Sequence, residues 1–203
     1  MRRLAGWRPQ EIIDYNLRDG GTQFTNFADG QPARVDKARE IIANLVTRIE
    51  GPANIVELGC SSGDISGFFA EDHLVSGFDV VPAAVRATIE RWPRMNVELT
   101  KVEDVLPFGC DILVLTEMLE HVHDPIKLVT DWMPKARYVV IGHPLVGDGP
   151  DQEAGHVWGY TDYDFQMWFA MTGHHVRQAW EFDMAGYRMI LGWGENADMA
   201  MRS

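Results

Sequence analysis

The stretch NIVELGCSSGD, residues 54–64, decides the fold. Its first half, residues 54–58, is a short apolar strand, and its second half is a turn with two glycines and two serines. Glycine and small residues let a backbone approach a ligand closely, and the amides at the start of a following helix attract polar groups. We therefore predict a ligand-binding turn followed by a helix through Phe69, although ordinary strand-to-helix turns also use glycine.

Strands and helices alternate along most of the remaining chain. Residues 33–50 carry apolar residues three and four apart, which predicts an amphipathic helix that Gly51 and Pro52 end. Further strands are predicted at 74–80, 96–102, 110–115 and 136–142, with a helix at 82–92. This alternation predicts a parallel sheet with helices on both faces. Two last strands, at 175–183 and 186–194, predict a closing antiparallel hairpin.

Composition narrows the class of protein. The chain has 203 residues, 46% of them hydrophobic, which suits a single domain, with residues 1–34 as an N-terminal cap segment and 35–203 as the main domain. The net charge of −12 repels phosphate backbones and anionic lipids, so we expect neither a nucleic acid nor a membrane as partner. The two cysteines, Cys60 and Cys110, fit no metal pair or disulfide, which favours a cytoplasmic location.

Acidic residues mark the ends of the first two sheet strands. Glu57 precedes the glycine turn, and Asp79 follows about 20 residues later, where an acid binds ribose hydroxyls in dinucleotide folds. The turn reads G-x-S-x-G and lacks the third glycine of the dinucleotide fingerprint. The missing glycine argues against a nicotinamide-dependent dehydrogenase, which stays open as an alternative function.

In this order and with these gaps, the chain resembles the class I S-adenosyl-L-methionine (SAM)-dependent methyltransferases. The resemblance covers roughly residues 35–193, through NIVELGCSSGD, GFDVVP, VEDVLPFGCDILVLTEMLEHVHDP, ARYVVIGHP and the final hairpin. It implies an α/β fold, a Rossmann-like sheet of seven mostly parallel strands with helices on both faces and a C-terminal antiparallel hairpin. It also implies a SAM cofactor across the carboxyl ends of the first two strands.

The resemblance also assigns cofactor-binding residues. Those expected to border the methionine, ribose, adenine and methyl parts of SAM are Glu57, Gly59, Ser61, Gly63, Asp79, Val80, Glu103 and Thr116.

The segment TEMLEHVHDP, residues 116–125, carries the expected chemistry. If a helix begins near Thr116, then Glu117, Glu120 and His121 share one face, where they could bind a divalent cation or orient a histidine as general base. The segment resembles ubiquinone-pathway O-methyltransferases and small-RNA 2'-O-methyltransferases, whose Glu-x-x-Glu-His motif holds a metal together with a later histidine. The resemblance makes His156 that histidine, with Mg²⁺ or Mn²⁺ as the metal. In related enzymes without a metal, the acids serve the helix start and the cofactor.

The expected function is methylation of a small molecule, with O-methylation favoured and with His121, His156 and Glu117 as catalytic residues. The alternatives are a metal-dependent 2'-O-methyltransferase of an RNA end, a dehydrogenase and a non-catalytic cofactor-binding protein. The acidic composition disfavours the RNA substrate. An aromatic group near the C-terminal helix either lines the substrate pocket or belongs to the core: Trp158, Tyr160, Phe165 and Trp168.

Overall fold

The computed structural model describes residues 1–4, 6–8, 10–15, 17, 32–146, 156–184 and 187–200. The strands are β1 (Arg2–Arg3), β2 (Asn54–Leu58), β3 (Leu74–Asp79), β4 (Asn96–Leu99), β5 (Cys110–Thr116), β6 (Ala136–Leu145), β7 (Trp158–Gly159), β8 (His174–Met184) and β9 (Tyr187–Asn196). The main helices are α1 (Pro32–Val46), α2 (Pro82–Arg91), α3 (Pro125–Trp132), α4 (Asp162–Met171) and α5 (Ala197–Ala200).

Seven strands form one sheet in the order β4-β3-β2-β5-β6-β9-β8. Pairing is parallel from β4 to β6, whereas β9 runs antiparallel to both β6 and β8. The predicted Rossmann-like sheet and its closing hairpin are therefore confirmed. Because β2 has β3 on one side and β5 on the other, the connections from this strand leave a crevice at the carboxyl ends.

The two faces of the sheet carry separate apolar layers. One layer packs α1 against the sheet and includes Ile42, Leu45 and Ile55, each at most 1% exposed. The other layer packs α3 and α4 and includes Leu113, Trp132 and Phe165, also at most 1% exposed. Strands buried on both faces explain the nearly continuous apolar run at Cys110–Thr116.

The helix predicted after the glycine turn ends at Phe69, as expected, and it is a short 3-10 helix, Ser66–Phe69. The helix considered near Thr116 does not form. Instead, a 3-10 turn at Leu119–His121 is followed by α3, which begins at Pro125 after the capping residue Asp124. In contrast, α4 begins with a capping box between Thr161 and Asp164.

The N-terminal segment contacts the loop that follows β6. Strand β1 pairs antiparallel with β7, and the N–H of Leu4 donates to the carbonyl oxygen of Val157 at 2.7 Å. Residues 18–31 of the expected cap lie outside the described residues, so the cap stays a prediction. Among the described helices, none combines the length and apolar character needed to cross a bilayer.

Replacing Gly192 in β9 should test how tightly α4 packs on the hairpin. A Cβ at this position would lie 2.6 Å from the Gln178 carbonyl oxygen and 2.7 Å from Phe165 Cζ. Because a backbone atom cannot move aside cheaply, we expect Gly192→Ala to lower the free energy of unfolding by about 1–3 kcal/mol in denaturant titrations. Gly109→Ala is the control, since its nearest neighbour lies at 4.0 Å; equal unfolding midpoints for the two variants would contradict the expectation.

Candidate active site

The glycine turn lies where β2 ends, and its shape depends on three residues with positive φ. These are Gly59 (φ 72°), Ser61 (φ 48°) and Gly63 (φ 71°). A Cβ on Gly59 would come within 2.7 Å of Met118 Cβ, and one on Gly63 within 2.7 Å of Trp92 Cδ1. Both glycines are therefore required by the fold of the turn and by its packing against neighbouring side chains.

Asp79 connects this turn to the end of β3. It is 5% exposed, and its Oδ2 accepts from the Ser61 N–H and its Oδ1 from the Val81 N–H, both at 2.8 Å. Burial raises the pKa of the carboxyl, and the backbone hydrogen bonds partly oppose this rise. An ionised carboxylate has about four lone-pair sites, so two hydroxyl donors of a ligand could still be accommodated.

Glu57 lies on β2 beneath the turn and is 2% exposed. Its Oε2 accepts from both the Ser66 hydroxyl and, at 3.3 Å, the Ser66 N–H. Burial raises the pKa of Glu57 to about 7, while the bonds from Ser66 and the charge of Arg34 act in the opposite direction. The carboxyl therefore changes protonation state near neutral pH.

Arg34 is the residue of this region that the sequence prediction missed. It lies on α1, is only 2% exposed, and its positive charge lowers the pKa of both Glu57 and Glu117. A signal was present, because Arg34 continues the apolar stripe of Ala38 and Ile41 at helical spacing. A guanidinium on the buried face of a helix indicates a charged partner or ligand.

Glu117 follows β5 in a conformation that is unusual for its residue type. Its φ is 54°, and left-handed backbone at a residue other than glycine costs about 1–3 kcal/mol. Its Oε1 is enclosed and makes no hydrogen bond to any described residue. Burial raises the pKa of this carboxyl, and the charges of Arg34 and His156 lower it. Strain and an unsatisfied buried carboxylate together indicate a functional group.

Glu120, His121 and His156 form a compact group beside Glu117. One ligand atom from each of the three lies within 4.8 Å of the others. The Nε2 of His156 is 4.0 Å from Oε1 of Glu120, and the rings of His121 and His156 have centroids 4.9 Å apart. Glu120 is 1% exposed. A buried carboxylate with two imidazoles is a set of side chains able to hold a divalent metal.

Backbone and side-chain hydrogen bonds bring His156 to this group. The N–H of Val157 donates to the Glu120 carbonyl oxygen at 2.8 Å, Trp158 Nε1 to the Val122 carbonyl oxygen at 2.9 Å, and the Tyr160 hydroxyl to the Leu119 carbonyl oxygen at 2.7 Å. The segment after β6 is thereby fixed to the 3-10 turn that carries Glu120 and His121.

Three other residues expected at the cofactor lie at the same edge of the sheet. Thr116 is 5% exposed at the end of β5, and Val80 is half-buried directly after Asp79. Glu103 lies in a 3-10 helix, Val102–Asp104, where its Oε1 accepts from the His123 N–H at 3.2 Å. Their roles in binding stay predictions.

The aromatic group belongs to the core. Tyr160, Phe165 and Trp168 are at most 3% exposed and surround His143, whose ring is 5.1 Å from Tyr160 and 5.2 Å from Trp168 between centroids. Burial lowers the pKa of His143 to about 4, so this histidine is neutral near pH 7. Trp158 is half-buried and packs against the same core, so of the two interpretations of this group the structure supports the core.

Comparison with known proteins gives the family. The sequence model of the family described as a methyltransferase domain matches residues 31–190. The chain belongs to this family. It is a class I SAM-dependent methyltransferase, which decides against the dehydrogenase and the non-catalytic alternatives. No curated protein matches the sequence of this methyltransferase.

Solved structures agree with the fold of the methyltransferase. Magnesium protoporphyrin IX methyltransferase from Synechocystis PCC 6803, with bound SAH, is 12% identical, with a TM-score of 0.77 over 93% of this chain and 99% of that one. A 1,6-didemethyltoxoflavin-N1-methyltransferase from Burkholderia thailandensis is 16% identical, with a TM-score of 0.70 over 95% and 92%. N-methyltransferase NodS from Bradyrhizobium japonicum WM9 is 16% identical, with a TM-score of 0.65 over 92% and 97%.

Glu57 should make the stability of the ligand-free methyltransferase depend on pH. Its folded-state pKa is about 7 against an ordinary value of 4.5, so the folded protein holds this proton more tightly than the unfolded chain does. The resulting stability is fully present below pH 4.5 and is lost as the pH rises through about 7. Glu57→Gln cannot titrate, so the melting temperature of this variant should decline less than that of wild type as the pH rises across this range. Exposed Glu98→Gln is the control. A dependence of melting temperature on pH that is the same in both variants would contradict the prediction.

Asp79 should contribute to both stability and cofactor affinity. Asp79→Ala leaves the N–H groups of Ser61 and Val81 without their acceptor, at about 1–3 kcal/mol for each unsatisfied group. Asp79→Asn keeps one acceptor oxygen, so its unfolding free energy and SAM affinity should fall between those of wild type and the alanine variant. Denaturant titration and calorimetry measure both quantities, with exposed Asp72→Ala as the control. SAM affinities equal to wild type in both Asp79 variants would refute the assignment.

Proposed function

We propose that this methyltransferase transfers a methyl group to a hydroxyl oxygen of a small molecule, and that Glu117, Glu120, His121 and His156 form its reactive group. The observation that carries the proposal is the convergence of Glu120, His121 and His156 within 4.8 Å beside the strained Glu117. A hydroxyl acceptor must lose a proton during methylation, whereas an uncharged amine already has a free lone pair. Two imidazoles and two carboxyls supply proton acceptors that an N-methyltransferase would not need.

A small acceptor fits the charge of the chain better than an RNA end does. The net charge of −12 raises the free energy of any approaching polyanion. The similar solved structures support this direction, since one contains 1,6-didemethyltoxoflavin and another acts on magnesium protoporphyrin IX, as their names state. The acceptor would enter at the carboxyl edge of the sheet, next to Thr116 and Glu117.

We further propose that SAM lies across the ends of β2 and β3. Asp79 would accept from the ribose hydroxyls, while Glu57, Arg34 and Glu117 would surround the methionine end. The cofactor carries a positive sulfonium and a positive ammonium group. Glu57 is buried and Glu117 is half-buried with an enclosed Oε1, and desolvation raises the pKa of both carboxyls. A cationic ligand favours their ionised forms, so binding and deprotonation of these carboxyls should be coupled.

Methyl transfer is an in-line displacement in which a carbon–sulfur bond breaks while a carbon–oxygen bond forms. The residues of the chain therefore have to align the acceptor, exclude water and remove one proton. His121 or His156 would accept the hydroxyl proton at an imidazole nitrogen. Glu120, with its Oε1 4.0 Å from His156 Nε2, would stabilise the imidazolium that results.

We also propose that the same side chains bind a divalent metal ion. Two imidazoles with one or two carboxylates suit Mn²⁺ better than Mg²⁺, because Mg²⁺ prefers oxygen ligands almost exclusively. Glu120, His121 and His156 would hold the ion, with Glu117 as a further ligand. When bound, the ion would supply positive charge that lowers the pKa of a nearby hydroxyl.

Titration with Mn²⁺ tests the metal proposal without an acceptor. Metal-stripped wild-type protein should bind one Mn²⁺ in calorimetry or electron paramagnetic resonance, and His121→Ala and His156→Ala should each weaken this binding at least about tenfold. The matched control is His123→Ala, since His123 is exposed two positions from His121. Saturable binding that is the same in all four proteins would refute these ligands, and no saturable binding would leave a metal-free mechanism with histidine as the base.

A further inference from the structure

The two edges of the main sheet differ in length. Strand β4 forms one edge and has 4 residues, whereas β8 forms the other and has 11. Short edge strands protect proteins from unwanted pairing, and a long edge leaves a row of N–H and C=O groups able to pair with another strand. In the part of the chain that the structure describes, no strand pairs with the outer side of β8.

The register between β8 and β9 shows which backbone groups of β8 face outward. Met184 and Tyr187 pair with each other and are separated by two positions in the sequence, which makes them a hydrogen-bonded pair. From this pair onward, hydrogen-bonded and non-hydrogen-bonded pairs alternate along the two strands. Phe182, paired with Met189, and Trp180, paired with Leu191, direct their backbone groups toward β9. Ala179, Glu181 and Asp183 alternate with these two residues along β8 and direct their backbone N–H and C=O groups away from the sheet.

A bulge sets the limit of the regular edge. The register shifts between Val176 and Gln178, so that Arg177 is the additional residue. The regular stretch therefore begins at Gln178 and extends toward Asp183. Within this stretch, Trp180 has the bulge residue Arg177 three positions before it and Asp183 three positions after it.

We propose that β8 pairs antiparallel with β8 of a second copy of this chain, with the two-fold axis at Trp180. The outward-facing Ala179 would then exchange hydrogen bonds with the partner's Glu181, and the main sheets of both copies would become continuous. Arg177 would lie opposite the partner's Asp183 on each side of the axis. Opposite charges directly across two strands stabilise pairing, and like charges oppose it.

Charge and exposure favour this occupant and this register. Arg177 is the single arginine or lysine of β8, and the strand also carries the acids Glu181 and Asp183. Arg177 lies 3.4 Å from Glu195 of its own chain, but its side chain is 47% exposed and can also face a partner strand. An axis at Glu181 would place this acid against itself. An axis at Ala179 would also oppose Arg177 to an acid, but it would leave only residues 178–180 of the regular stretch in the pairing, whereas the axis at Trp180 keeps residues 178–182. Trp180 and Phe182 are half-buried against the core, and pairing would bring Trp180 beside the partner's Trp180 and cover both rings further.

Sedimentation velocity and light scattering over a range of concentrations at physiological salt test the proposal, which is independent of the proposed function. Wild type should dimerise reversibly. Arg177→Glu alone and Asp183→Arg alone should each raise the dimer dissociation constant about tenfold or more, because each places like charges across both sides of the axis. An equimolar mixture of the two variants should form a heterodimer at about wild-type affinity, since the introduced charges face opposite charges.

Glu181→Arg mixed with Arg177→Glu is the register control. This mixture should stay monomeric, and its dimerisation would place the axis at Ala179 and overturn the proposed register. A wild-type protein that stays monomeric at all concentrations, or single variants that dimerise as wild type does, would overturn the proposal. Circular dichroism and thermal unfolding confirm that each variant is folded, and because the mixed variants rescue each other, loss of dimer cannot come from misfolding.

Discussion

The hydrogen bonds that Asp79 accepts hold together the two strand ends on which the rest of the site depends. One carboxylate oxygen accepts from the turn after β2 and the other from the chain leaving β3. The N–H groups of Gly59 and Cys60 add bonds to the Phe78 carbonyl oxygen at 2.8 and 3.1 Å. A single buried acid thereby fixes the glycine turn relative to the neighbouring strand, and under the proposed function its remaining lone pairs would accept from a ribose.

Three carboxyls with raised pKa values and one buried guanidinium dominate the electrostatics of this region. Burial raises the pKa of Glu57, Asp79 and Glu117, and Arg34 is a buried guanidinium close enough to lower the pKa of two of them. Placing three carboxyls within one crevice costs stability in the ligand-free protein, since desolvation penalises each ionised form. A cofactor with a sulfonium and an ammonium group would offset that cost, which gives a physical reason for the clustering.

The proposed reactive group is assembled from two segments distant in sequence. Glu117, Glu120 and His121 follow β5, and His156 precedes β7, so their geometry depends on the contacts between the 3-10 turn and the segment 156–160. The positive φ of Glu117 belongs to the same arrangement, because it directs the chain from a buried strand into that turn. Strain of this kind persists where surrounding contacts determine the backbone, which is common at active sites.

The sequence by itself determined the fold class, the glycine turn, the acids at the strand ends and the start of α4. Each of these depends on local patterns, namely apolar periodicity, positive-φ glycines and the capping pair Thr161 and Asp164. Local spacing misled at Thr116, because Glu117, Glu120 and His121 have the spacing of an α-helix face, whereas the chain takes a positive φ at Glu117 and then forms a 3-10 turn at Leu119–His121. The resemblance to known families named His156 as a companion of Glu120, but the contacts that bring the two segments together are visible only in the tertiary structure. The tertiary structure also buried Arg34 within reach of two carboxyls and assigned Tyr160 and Trp168 to the core. Those outcomes depend on packing between segments far apart in the chain, which no local pattern records.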